Sequence, residues 1–557
     1  MGHKPIHYFL IFVLIAGATQ FSNGNPGDSL KASQYIDFKF NFIQFFNKSD
    51  FQTFYEAWKN KPKITIAHFG DSHVQPDIYS GKVRQQLQQS KGQGGLGMFF
   101  PYSIADTYSS IHYTSNHTGI WQSAKSIARK PELPLGVTGI SARTTDENAS
   151  FTIAFKNQLP ASYKKLLIFC KQDKSSFDIQ VKTGSEEILV PVGETGSDQP
   201  FLEIGLSAVP QILEVKVRKT GDHETAFELY GLSLMSEEES GLTLHAMGIG
   251  GSQYGSLLRE NLFDFQFPAL NADVVILDFG TNDFLYTNEI PGSLKNEIVE
   301  VIKKVRRATP KSNILLTSAQ DMYRKGLNTT ASVEFSELIR TIAREQHCLV
   351  YDWYWVSGGP EKMLLWERAG LAQKDLIHLT LKGYEQKGDL LVQALENTLS
   401  WYEAEEIDSL VIPVNPTQSV SDPKIILVNE EKPKPVNSAT INHQIEKGES
   451  LYSIAKKYNV SVAELMELNE LSSTTIIAGK TLKVVPNETS KKITSVLPES
   501  PKIIRHKIQS GETLSEIAEK YHVSVRSIKK ANGLKSSRII AGKTLIIPSA
   551  PVARDES

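Results

Sequence analysis

Apolar and polar positions change period several times along the 557 residues. Runs that are almost continuously apolar or β-branched stand at 63–69, 243–249, 273–279, 313–318 and 348–355. Such runs suit parallel strands covered on both faces. Between and after them the apolar period becomes helical, at 76–89, 293–308, 332–346 and 382–402. This alternation predicts an α/β fold: a three-layer α/β/α domain on a five-stranded parallel sheet with helical crossovers.

The pattern breaks between residues 109 and 240. Short strand-like runs take over at 149–155, 164–170, 176–182, 187–191, 212–217 and 226–233. Turn residues such as Lys182-Thr183-Gly184 and Lys219-Thr220-Gly221-Asp222 separate them. That spacing predicts an all-β, jelly-roll-like domain inserted into the α/β domain, which is thereby divided into 30–108 and 241–403. Residues 404–440 hold Pro413, Pro416, Pro423, Pro433 and Pro435, the pattern of an extended linker. Beyond it lies an internal repeat. Gly448-Glu449-Ser450-Leu451 returns 63 residues later as Gly511-Glu512-Thr513-Leu514, and Ile476-Ile477-Ala478-Gly479 as Ile539-Ile540-Ala541-Gly542. Two units, 441–486 and 504–549, flank a spacer at 487–503. A solenoid needs more repeats than this, so the units are expected to be separate small domains.

Composition narrows the function classes. The length calls for about three to five folding units. With 22% charged and 40% hydrophobic residues, neither a disordered chain nor a polytopic membrane protein is expected. Sixty Lys+Arg against 62 Asp+Glu leave a net charge of −2, and no nucleic-acid partner is expected. Two cysteines, Cys170 and Cys348, are too few for a disulfide framework or a cysteine zinc site and read as buried free thiols. At the start, Lys4, the apolar run 9–16 and Ala16-Gly17-Ala18 have the order of a secretory signal peptide over 1–24. The run is too short to span a bilayer. The expected mature protein has no integral membrane segment and works in the periplasm or cell wall of a bacterium.

Four segments of the α/β region carry candidate chemistry. The first strand ends in Gly70-Asp71-Ser72-His73, which places Ser72 at the carboxyl edge of the sheet where such folds bind ligands. A Ser there could equally cap the helix that follows. Gly280-Thr281-Asn282-Asp283 follows the third strand, and an Asn amide can hydrogen-bond a developing oxyanion. Gly248, Gly250 and Gly251 follow the second, where a backbone N–H can approach a substrate oxygen closely. Ordinary strand-end turns explain both patterns as well. In Asp375-Leu376-Ile377-His378 the carboxylate can meet and orient the imidazole, as in a Ser–His–Asp relay, or His378 is a surface loop residue.

Taken together, Gly70-Asp71-Ser72, Gly251, Gly280-x-Asn282-Asp283 and Asp375-x-x-His378 resemble the four blocks of the SGNH (GDSL-type) hydrolase superfamily. The resemblance implies Ser72 as nucleophile, His378 as general base and acid, and Asp375 as the orienting carboxylate. It implies an oxyanion hole of the Ser72 and Gly251 N–H groups with the Asn282 side chain, and no metal or organic cofactor. Ser72 and Gly251 stand 179 positions apart, farther than in simple members, and the β insert accounts for the gap. This arrangement is similar to bacterial peptidoglycan O-acetylesterases, whose insert resembles carbohydrate-binding modules.

The repeats resemble LysM domains through His443 and His506, the Gly-Glu-Ser/Thr-Leu start, Ile-Ala-x-x-Tyr and Ile-x-Ala-Gly-Lys-x-Leu. The resemblance implies a βααβ unit that binds peptidoglycan or a related N-acetylglucosamine-containing glycan. Its implied contacts are Gly448, Glu449, Ser450, Leu451, Ile477, Ala478 and Gly479, and Gly511, Glu512, Thr513, Leu514, Ile540, Ala541 and Gly542. Residues 441–549 hold 17 Lys+Arg and 10 Asp+Glu, a charge that suits an anionic wall and equally a solvated surface. The expected function is a secreted serine esterase removing O-acetyl groups from cell-wall glycan, peptidoglycan foremost. A noncatalytic wall-binding adaptor, or an esterase acting on another polysaccharide or a lipid ester, are the alternatives.

Overall fold

The computed structural model describes residues 32–193, 199–404 and 408–413. Toward the C-terminus it describes 441–445, 454, 457–458, 465, 468–469, 479–484, 504–507, 514, 517, 528–529 and 544–547. The expected signal peptide and the spacer 487–503 lie outside these residues. The chain divides into two units, one ending at Leu427 and one beginning at Val428.

In the first unit, six strands form the parallel part of a sheet: β1 (Lys63–Gly70), β2 (Gln93–Phe99), β3 (Gly241–Gly248), β4 (Val274–Asp278), β5 (Asn313–Thr317) and β6 (Leu349–Tyr351). Their order is β2-β3-β1-β4-β5-β6. Five helices matter to the site: α1 (Lys48–Asn60), α2 (Tyr79–Lys91), α3 (Leu294–Ala308), α4 (Ala331–Glu345) and α5 (Leu381–Ala404). Alternate strand residues face opposite sides. Thus Ala67, Phe69, Val275, Leu277, Ile314 and Leu316 pack with Ile298, Val301 and Ile302 of α3 and Phe335 and Ile339 of α4. Ile64, Ile66, Val274, Ile276 and Leu315 pack with Phe51 and Phe54 of α1, Val83 and Leu87 of α2, and Leu390 and Leu391 of α5. The three-layer α/β/α arrangement follows from these two cores.

The five-stranded sheet needs correction. β2 is a sixth parallel strand, pairing with β3 through Leu242–Gln93 and Thr243–Gly95. Its other edge pairs antiparallel with Phe227–Ser236. From there the sheet continues through Tyr163–Cys170 to Phe201–Gly205, with Gln122–Lys125 and Ile140–Thr144 on a side branch, 11 strands in all. A second, antiparallel sheet orders Tyr113–Thr118, Ser150–Phe155, Ile212–Arg218, Asp178–Thr183 and Glu186–Val190. The insert is therefore a two-sheet sandwich that shares one sheet with the α/β core. Phe151, Ile153, Leu166, Ile168, Leu213 and Val215 fill it, and Leu96 and Phe99 of β2 join them.

The linker also starts later than expected. Leu410 is buried and exchanges two backbone hydrogen bonds with Phe45, at 2.9 and 3.0 Å, and Arg340 donates to the Ile412 carbonyl at 2.8 Å. Residues 408–413 thus belong to the α/β unit. Cys170 and Cys348 are buried free thiols, and burial pushes Cys348 up to about 12.

In the second unit, Ile441–Gln444 pairs antiparallel with Thr481–Val484, and Ile504–Lys507 with Thr544–Ile547. Asn469 donates to Leu465 O and Lys483 O, both at 2.8 Å, and accepts from Lys483 N at 2.6 Å, tying helical residues to the last strand of the first repeat. His443 Nδ1 meets the Tyr458 hydroxyl at 2.9 Å. Among the described residues no helix is long and apolar enough to cross a membrane.

Candidate active site

Ser72 stands two residues past β1, on a tight turn in which Val74 N and Gln75 N both donate to the Asp71 carbonyl. Helix α2 begins only at Tyr79, so Ser72 does not cap it. Its Oγ instead lies 2.9 Å from His378 Nε2, across 306 residues of sequence. His378 Nδ1 lies 2.7 Å from Asp375 Oδ2. The other carboxylate oxygen of Asp375 accepts the backbone N–H groups of Ile377 and His378 at 3.0 and 2.9 Å. Leu376, at φ 55°, turns the chain so that these groups converge. A carboxylate only accepts, so Nδ1 carries the imidazole hydrogen and Nε2 offers its lone pair to Ser72. Partial burial opposes the Asp375 charge, but the bonds from the His378 ring and from the backbone hold it below its ordinary range. Side-chain exposures of 34% for His378 and 42% for Asp375 leave the pair open to a substrate.

Gly251 lies in the turn after β3, exposed, at φ 86°, with open space where a Cβ would stand. Its left-handed backbone suits glycine. The neighbouring Gly250 N–H is committed to Gln75 Oε1 at 2.6 Å. Among the described residues, the Ser72 and Gly251 N–H groups donate to no protein acceptor. Asn282 differs from expectation. Its amide donates to Asp71 Oδ2 at 3.1 Å and to Ser252 O at 3.0 Å, so both hydrogens have partners.

A layer of buried titratable groups lies beneath. Asp71 is pushed up to about 7, by burial and then by the nearby Asp278. Burial also opposes the charge of Asp278, yet Lys387 at 3.2 Å, His68 at 3.4 Å and the Thr317 hydroxyl at 2.6 Å hold it well below the carboxylate range. His73 is lowered to about 3, first by burial and then by Lys387; its Nδ1 meets Tyr384 OH at 2.9 Å. Its ring stands 5.3 Å from that of His378. Burial pushes Asp283 up to about 8.

Sequence reasoning missed several of these. Gln75, 2% exposed, accepts from Gly250 and donates to Thr107 Oγ1 and Tyr108 O at 3.1 and 2.8 Å. It ties the Ser72 turn to the Gly251 turn and to the loop entering the insert. Lys387 and Tyr384 lie on α5 with no motif around them. Of the expected glycan-contact residues, Gly479 is exposed at φ 84°, whereas Leu514 is buried, 2% exposed. Gly448, Glu449, Ser450, Leu451, Ile477, Ala478, Gly511, Glu512, Thr513, Ile540, Ala541 and Gly542 lie outside the described residues.

The model of the "GDSL-like Lipase/Acylhydrolase family" matches residues 231–386, and that of the "LysM domain" matches 443–485 and 506–548. The chain carries a GDSL-like acylhydrolase domain and two LysM domains. The GDSL match includes Gly251, Asn282, Asp375 and His378 but begins after Ser72, which only the fold returns to them. "Probable autolysin SsaALP" of Staphylococcus aureus (strain NCTC 8325 / PS 47) is 34% identical over 111 residues, 20% of this chain and 42% of the relative. "Cell wall-binding protein YocH" of Bacillus subtilis (strain 168) is 34% identical over 109 residues, 20% of this chain and 34% of the relative. The chain thus spans less than half the length of these relatives. The solved structure of a peptidoglycan O-acetylesterase aligns at TM-score 0.51 and 22% identity, covering 63% of this chain and 96% of that one, a likeness of fold.

Proposed function

We propose that this chain is a secreted serine esterase that removes O-acetyl groups from cell-wall glycan, foremost peptidoglycan, with its LysM domains holding it to the wall. The observation that carries the reading is the unbroken run from Ser72 Oγ to His378 Nε2 at 2.9 Å and from His378 Nδ1 to Asp375 Oδ2 at 2.7 Å. In this reading Ser72 Oγ attacks the acetyl carbonyl while His378 Nε2 takes its proton, and Asp375 stabilises the imidazolium. The carbonyl oxygen becomes an oxyanion facing the N–H groups of Ser72 and Gly251. Asn282 joins them by giving up its bond to Asp71, a carboxyl whose hold on its proton burial strengthens. His378 then returns the proton to the departing sugar hydroxyl. Water, deprotonated by His378, attacks the acetyl-enzyme, and acetate leaves.

The sandwich is the natural candidate to align the glycan, since Gln75 couples the loop that leads into it to the Gly251 turn. The LysM domains and the wall-directed names of the relatives favour a peptidoglycan substrate and an extracytoplasmic location. The test is acetate release from O-acetylated peptidoglycan beside acetylated xylan, with Ser72→Ala as the blank. Release should be faster from peptidoglycan and absent in the variant. Turnover that survives Ser72→Ala overturns the mechanism, and a preference for xylan overturns the substrate.

A further inference from the structure

A short hairpin adjoins the 375–378 turn: Tyr323–Arg324 paired with Leu327–Asn328, in the register Tyr323 to Asn328 and Arg324 to Leu327. Its two turn residues, Lys325 and Gly326, have φ 52° and 79°, the left-handed pair of a type I′ turn. The base is held from inside. Asn328 donates to the buried Asp321 at 2.7 Å, and the other Asp321 oxygen accepts Met363 N at 3.0 Å. The hairpin therefore presents its tip in a defined place.

It joins two of the segments that make the active site. Tyr323 N donates to Leu376 O at 3.1 Å, inside the 375–378 turn. Arg324 Nη1 donates to Tyr286 O at 2.9 Å, four residues beyond Asn282, and the guanidinium lies 4.7 Å from the Tyr286 ring centre. Tyr286 is 67% exposed and Leu327 is 75% exposed. Among the described residues no carboxylate forms an ion pair with Arg324, although 15 other Lys or Arg pairs with carboxylates exist. A guanidinium stacked on an aromatic ring keeps its charge and its hydrogen-bonding edge, and its fork fits a carboxylate in two-point fashion.

We propose that Arg324 is a specificity-determining residue that binds a carboxylate carried by the acylated glycan, so that the enzyme prefers acidic over neutral esters. The proposal rests on the esterase reading above. Peptidoglycan offers such a group on its peptides or, where a peptide has been removed, on the lactyl ether of its muramic acid, whereas the xylan backbone is neutral. Arg324 anchors the acid while the ester lies against Ser72, and Tyr286 and Leu327 offer an apolar ledge beside the sugar.

The test compares the full chain with Arg324→Gln and Arg324→Lys on four substrates: an aryl acetate, O-acetylated peptidoglycan fragments, the same fragments freed of peptide, and fragments whose carboxylates have been amidated. Arg324→Gln should leave aryl acetate turnover unchanged. It should raise KM for the acidic fragments by roughly tenfold at constant kcat, the order expected for one charged hydrogen-bonding partner, and should no longer distinguish acidic from amidated fragments. Arg324→Lys should recover part of the loss. A loss confined to peptide-bearing fragments places the carboxylate on the peptide, and one confined to peptide-free strands places it on the lactyl ether, whose acid the peptide otherwise holds as an amide. Wild-type turnover that ignores amidation, or an Arg324→Gln loss equal on all four substrates, overturns the subsite. Failure of the esterase reading is distinct, since aryl acetate would then not be hydrolysed or would be hydrolysed equally by Ser72→Ala.

Discussion

Asn282 offers an oxyanion two hydrogens that the resting protein has already assigned, to Asp71 and to Ser252. If it exchanges the first for substrate, Asn282→Ala should lower kcat by roughly 10²–10³. Steady-state kinetics on an aryl acetate will check this; a change of a few-fold would make Asn282 a turn residue only. Asp71 invites a different measurement. At about 7, against an unfolded value near 3.8, its folded form binds the proton more tightly, so its contribution to stability falls as pH rises from about 4 to 7. His73, lowered from 6.5 to about 3, works oppositely: its contribution falls as pH drops through that range. Between about pH 4 and 6.5 the two slopes oppose each other. Asp71→Asn removes the first alone, so the Tm difference between variant and wild type should move in the variant's favour from pH 5 to pH 8. A constant difference would mean that Asp71 titrates normally. The motifs holding Ser72, Gly251, Asn282, Asp375 and His378 were legible because each is short, the first three at strand ends and the last in a loop before a helix. Gln75, Lys387 and Asp278 were not, because their partners are supplied by distant segments.

Among elements, β2 marks where pattern reading stopped. Gln93, Gly94, Gly95, Leu96, Gly97, Met98 and Phe99 show no alternation, because their glycines serve close approach. At Gly97, φ is 85° and a Cβ would lie 2.5 Å from the Leu244 carbonyl oxygen. Gly97→Ala should therefore cost about 1–3 kcal/mol from crowding alone, with the strained backbone adding to it. Thermal denaturation will measure it, and an unchanged Tm would mean that the sheet yields there. By contrast, α3 was legible from its period, since Ile298, Val301, Ile302 and Val305 are all fully buried along one face. Strands β4 and β5 were legible because both their faces are covered, so the apolar run is continuous. The 323–328 hairpin escaped notice because two-residue strands carry too few positions to show a period.

For the whole molecule, the later end of the α/β unit changes where it should be cut. A chain ending at Pro413 should keep wild-type hydrolysis of an aryl acetate and sediment less with wall sacculi, since linked weak binders can gain about 10²–10⁴ in avidity. Equal sedimentation would remove the LysM domains from wall binding. A chain ending at Ala404 loses the pairing of Leu410 with Phe45 and should melt below the Pro413 chain. The sequence by itself determined the alternation of strand and helix, the place of the β insert, the two repeats and the short motifs that carry the chemistry. All of these are local, written in period, composition and spacing within a few dozen residues. Only the tertiary structure decided that one sheet runs through both core and insert, that Ser72 meets His378, that Asp71 occupies the Asn282 amide and that Arg324 bonds to Tyr286. Those facts depend on which surfaces pack together across hundreds of residues, and that selection is made by the burial of shared apolar faces, which no single segment encodes.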